Sequence, residues 1–172
     1  MSEVQPIAVV LAERIVSGQA FGSLFREGMA LVEMTAAYLD GPGRKESKQL
    51  SRTGALAYAT ESMRLTTRLM QLASWLLLQR AVNEGELTLD QARSEKTKVK
   101  LSSYEPPHPE SAAALPKKLR LLIDESRRVH DRVLRMDALI YSGAASEPAA
   151  DNPVERQLGL LRAAFEGRRR SA

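Results

Sequence analysis

The sequence contains no cysteine. Disulfides, thiol nucleophiles and thiolate metal sites are thereby excluded, and the composition fits a reducing cytoplasm. Histidine is almost as scarce, with only His108 and His130. Neither has a second histidine three or four residues away, so the chain offers no helical metal pair, and both are read as structural residues. Aromatic residues make up 5% and include a single tryptophan. With Ala, Leu, Glu and Arg plentiful, this scarcity favours helix over sheet. Long hydrophobic runs are missing too. Trp75 to Leu78 gives way to Gln79 and Arg80, and no run approaches the ~18 residues of a membrane span. Residues 9–11 are too short for a signal-peptide core, and Glu3 interrupts its basic start. The formal net charge of +4 is mild for a nucleic-acid-binding protein unless the charge is clustered. At 172 residues and 44% hydrophobic content, the chain is expected to fold around one core.

What is present is helical periodicity. The longest proline-free, periodic stretch runs over residues 51–84. Ser51 is a good N-cap, Gly85 is a natural stop, and the helix between them would be roughly 50 Å long. Leu56, Met63, Met70 and Leu77 recur every seven residues, with Ala59, Thr66 and Ala73 three positions after the first three. This seam is expected to face the interior of the monomer. A second arc, Leu65, Leu72 and Trp75 with Leu69 and Leu76 beside it, is apolar as well. Its neighbour is either another part of the chain, such as the long connector, or a dimer mate.

Two further helices flank this one. In residues 18–40, Phe21, Leu24, Phe25, Gly28, Leu31, Val32, Thr35, Tyr38 and Leu39 step at three and four. Gly28 on that face is read as permitting close helix contact. The helix stops at Asp40-Gly41-Pro42-Gly43, where glycine is expected to take a left-handed cap and proline blocks continuation. This loop lacks the strand, the Lys and the following Ser or Thr of a phosphate loop. Residues 44–49 are expected to be a polar connector. In residues 116–142, Leu119, Leu122, Ser126, Val129, Val133, Met136 and Ile140 form a seam, flanked by Ile123 and His130.

Between the second and third helices lies a long connector. It holds one short helical segment after Thr88 and a proline-rich run at residues 104–109, and it is expected to be functional or packed down by Val99, Leu101 and Tyr104. The fold class is therefore all-α, a three-helix bundle over residues 17–142. An N-terminal arm (1–16) precedes it, and a linker with an amphipathic tail follows (143–172).

No catalytic residue, metal ligand or cofactor site emerges, and the chain is read as a non-enzyme that needs no cofactor. The third helix interleaves Lys117, Lys118, Arg120, Arg127, Arg128, Arg132 and Arg135 with Asp124, Glu125, Asp131 and Asp137. Mixed charge of this kind is usually a solvated face, although a small DNA-binding regulator is the alternative reading. In the tail, Val154, Leu158, Leu161 and Phe165 share one stripe and Arg168, Arg169 and Arg170 follow. A stripe of about three turns is marginal by itself. The tail either docks permanently on its own bundle or acts as a tethered recognition helix. The candidate partner-binding or dimer face thus comprises Leu65, Leu72, Trp75, Leu158, Leu161, Phe165 and the three arginines.

Two long runs carry a family resemblance. They are FREGMALVEMTAAYLDGPGR at residues 25–44 and ALAYATESMRLTTRLMQLASWLLLQRAV at residues 55–82. With SEKTKVKL at residues 94–101, they resemble the alphaproteobacterial RcdA family, the regulators of CtrA degradation. The resemblance spans about residues 17–142. It departs from the family at Met34, where Glu is expected. It implies a dimeric three-helix-bundle adaptor that helps the ClpXP protease degrade cell-cycle regulators. It further implies cooperation with CpdR and with the cyclic-di-GMP effector PopA, in the cytoplasm and at a cell pole.

Overall fold

The computed structural model describes residues 18–99, 101 and 109–142. Among these residues there are six helices and no strand: α1 (Gln19–Asp40), α2 (Pro42–Ser47), α3 (Arg52–Asn83), α4 (Leu89–Lys96), α5 (Pro109–Ala113) and α6 (Lys117–Ser142). The long helices α1, α3 and α6 each pack on the other two. The fold is a three-helix bundle, and all three boundaries fall within about one residue of the periodicity reading.

Local chemistry explains the ends. The Ser51 hydroxyl accepts from the Gly54 N–H at 3.1 Å and starts α3. Gly85, at φ 76°, takes the left-handed conformation just beyond its C-cap. Thr88 and Gln91 form a reciprocal capping box that nucleates α4. The connection after α1 differs from expectation. Gly41 is not left-handed (φ −110°), and Pro42 both ends α1 and opens the short α2. Residues 44–47, expected to belong to a polar connector, are helical there because proline is pre-set for the first helical turn. Tyr38 Oη donates to Glu46 at 2.7 Å and pins α2 against α1.

The core consists of the predicted seams of α1 and α6 and one side of α3. Phe21, Leu24, Leu31 and Tyr38 meet Leu119, Leu122, Val129, Val133 and Ile140. A Cβ placed on Gly28 would stand 2.5 Å from Leu76 Cδ1, so glycine there permits the close approach of α1 and α3. Val99 and Leu101 pack against the core as expected for the connector. Tyr104, His108 and the stripe Leu158, Leu161 and Phe165 with Arg168, Arg169 and Arg170 lie outside the described residues.

The sidedness of α3 is the reverse of the sequence expectation. Leu65, Leu72 and Trp75 are 0%, 1% and 0% exposed and form the centre of the bundle. Leu56, Met63, Met70 and Leu77, expected inside, are 70%, 71%, 66% and 50% exposed. The face that turns inward also carries Glu61, Arg68 and Gln79, all buried. Their polarity concealed that face, yet each has a partner that offsets its burial. Glu61 accepts from Arg64 at 3.1 Å, Arg68 donates to Ser126 Oγ at 2.7 Å, and Gln79 Nε2 donates to Tyr141 Oη.

Candidate interaction surfaces

Trp75 shows why three of the residues assigned to a partner face cannot form one. Its Nε1 donates to Asp137 Oδ1 at 2.8 Å, and its ring lies 6.4 Å from that of Phe21. The other Asp137 oxygen accepts from Lys96 Nζ at 2.6 Å, and the same ammonium sits 4.1 Å from the Tyr141 ring centroid. Trp75, Asp137, Lys96 and Tyr141 thus fasten α4 and the end of α6 to the middle of the bundle. Of the two neighbours left open for this arc, the chain itself is the one present. Leu65 and Leu72 beside it are equally sealed.

The surface that remains open on α3 is the heptad seam. Leu56, Met63, Met70 and Leu77 alternate with Ala59, Thr66 and Ala73, a spacing that on an exposed helix is the pattern of a helix-to-helix seam. Small residues at the intervening positions allow a second helix to approach closely. The seam spans about 31 Å. Beside it, a groove of about 250 Å³ runs between α1 and α3, with Val32, Ala36 and Leu39 on one wall and Met70 and Ala73 on the other. Seam and groove make one continuous apolar area, and sequence spacing had signalled it correctly as a seam while misplacing what covers it.

The basic third helix is α6. Arg127 pairs with Asp124 at 3.7 Å, and Arg132 pairs across to Glu27 on α1. Asp124, Glu125 and Asp131 are exposed among the cations, as befits a solvated mixed face. His130 is buried beside Arg68, and its Nε2 has no hydrogen-bond partner. Desolvation first, and then the Arg68 charge, lower its pKa from the ordinary histidine value. No group of acidic and histidine side chains among the described residues could hold a metal ion. No helix among them is long and apolar enough to cross a membrane.

Comparison with known proteins gives three findings. The model of the family described as "Protein of unknown function (DUF1465)" matches residues 12–165. That match reaches beyond both ends of the resemblance read at residues 17–142 and takes in Leu158, Leu161 and Phe165. The crystal structure of RcdA from Caulobacter crescentus is 48% identical in sequence and superposes with a TM-score of 0.63. The match covers 76% of this chain and 98% of that one. No curated protein matches.

Proposed function

Because the chain belongs to the RcdA family, DUF1465, we propose that it is a non-enzymatic adaptor in regulated proteolysis that helps deliver cell-cycle regulators such as CtrA to the ClpXP protease. The observation that carries this reading is the close likeness to RcdA along almost the whole of that chain. Partners by the same reading are ClpXP, CpdR-like and PopA-like factors, and the delivered substrates. Their place of action is the cytoplasm, with enrichment at a cell pole.

The physical requirement of an adaptor is modest. Holding a substrate beside a protease replaces a bimolecular encounter with a local one, at an effective concentration that needs no new chemistry. A rigid body with separable binding areas is enough. The bundle supplies the body. The apolar area of Met63, Met70 and Leu77 with the adjoining α1 groove supplies one area, which we assign to a second copy of the chain. Two such seams facing each other would bury methionine and leucine between small residues, as in coiled-coil pairing. The tail carrying Leu158, Leu161, Phe165 and Arg168 to Arg170 is the second area, in its role as a tethered recognition helix.

The test is a reconstituted degradation assay. A fluorescent CtrA-type substrate is incubated with ClpXP, CpdR-like and PopA-like factors, with and without the full chain. The expected result is faster substrate loss when the chain is present. An unchanged rate at saturating concentrations of the chain would refute the adaptor reading.

A further inference from the structure

The face of the bundle between α1 and α6 is separate from the α3 seam and has a different character. A cleft of about 350 Å³ opens there, floored by Leu24 and Met136 and edged by Ala20, Arg132, Arg135 and Leu139. Helical register extends it in both directions. On α6, Leu121, Glu125, Arg128, Arg132, Arg135 and Leu139 follow one another at alternating steps of four and three. On α1, Ala20, Ser23, Glu27, Ala30 and Met34 step at three and four along the facing side. Met34, Leu121 and Leu139 are exposed large apolar residues. The strip from Leu121 to Leu139 is about 27 Å long, or five helical turns.

Charge decides what fits. Arg132 is already engaged by Glu27. Arg128 and Arg135, one turn to either side of it, are exposed and have no acidic partner among the described residues. The strip therefore presents apolar ends and floor beneath two guanidinium groups that no acid among the described residues engages. We infer that the α1/α6 groove is a docking site for an acidic amphipathic helix of a partner protein, which lies against α1 and α6 as a fourth helix of the bundle. Its apolar stripe fills the cleft between Met34, Leu24 and Leu139, and its flanking carboxylates pair with Arg128 and Arg135. The chain's own tail is a poor occupant by charge: residues 143–172 hold four acids against five arginines, three of them consecutive. Duplex DNA is a poor occupant by shape and polarity, since the floor is apolar, Glu27 already engages Arg132, and Glu125 is exposed one turn before Arg128 on α6. The inference does not depend on delivery to a protease.

The experiment uses the full chain and a fluorescein-labelled synthetic helix of about 18 residues, enough to span the strip. The probe has leucine at positions i, i+4, i+7 and i+11 and glutamate on both flanks. Its controls are a lysine-for-glutamate version and a scrambled version. Fluorescence anisotropy should show the acidic helix binding at least about tenfold more tightly than either control. The double variant R128E/R135E should lose at least about tenfold in affinity while its melting curve stays unchanged, since both side chains are exposed. The variant A30W should weaken binding by obstructing the groove. M63D/M70D, on the other surface, should bind as the parent does. Equal binding of the lysine or scrambled helix, insensitivity to R128E/R135E, or loss of binding in M63D/M70D would overturn the assignment. So would displacement of the bound helix by a short DNA duplex with a steep salt dependence, which would make the strip a nucleic-acid surface.

Discussion

The two sides of α3 contrast in a way that runs against simple hydrophobic counting. The inward side contains a glutamate, an arginine and a glutamine among its leucines, whereas the outward side is a row of leucines and methionines. Burial tracks fit and pairing rather than side-chain class alone. The inward polar groups reach partners on the same helix or on α6, and around them Trp75, Leu65, Leu72 and Leu76 fill the space between three helices. The outward row has no neighbour of that kind within the described residues, which fits a surface meant for another molecule.

The largest expected effect comes from the inward side. Trp75→Ala removes the largest fully buried side chain and its bond to Asp137, and should cost about 3–5 kcal/mol. Thermal or urea unfolding measures it; a loss below about 1 kcal/mol would mean that Trp75 is not the centre of the core. Ser126→Ala tests whether the polar residues inside need their partners. Arg68 Nη1 would lose its 2.7 Å acceptor, and destabilisation of about 1–3 kcal/mol is expected. Equal stability of this variant and the parent would show that the pairing contributes nothing.

The next effect depends on pH. His130 has a lowered pKa in the folded chain, so the unfolded chain binds the proton more readily. The stability held with His130 neutral is therefore complete above the unfolded value of about 6.5 and declines as pH falls through it. The decline continues down to the folded pKa, with a slope of at most about 1.4 kcal/mol per pH unit. Urea titrations between neutral and mildly acidic pH should show this slope in the parent and a flatter profile in His130→Gln. Identical profiles would remove His130 as the source.

The smallest effect on stability belongs to the outward side. M63D/M70D should change the unfolding free energy by only about 0.5 kcal/mol or less, because both residues are exposed. Sedimentation should nevertheless find the variant monomeric at concentrations where the parent self-associates. A cooperative loss of the fold would place the seam inside after all, and unaltered self-association, or a parent that stays monomeric, would overturn the assignment of the seam to a second copy.

Helix ends were legible from local chemistry: Ser51, Thr88 and Gly85 act within four residues of themselves. The inward faces of α1 and α6 were legible too, because each is a seam that steps at three and four along the whole helix and is dominated by large apolar residues. The polar clamp of Trp75, Asp137 and Lys96 was not. Its members are 62 and 41 residues apart, and nothing in the spacing of either stretch signals the other.

By itself, the sequence determined an all-α chain of three long helices, the ends of those helices and the existence of two apolar arcs on α3. Only the tertiary structure decided which arc is core. Periodicity reports that a face is apolar, but what covers it depends on shape and on hydrogen-bond partners brought from distant positions. Arg68 and Gln79 found such partners on α6, Glu61 found its own at Arg64 one turn along α3, and Leu56, Met63, Met70 and Leu77 were left facing outward.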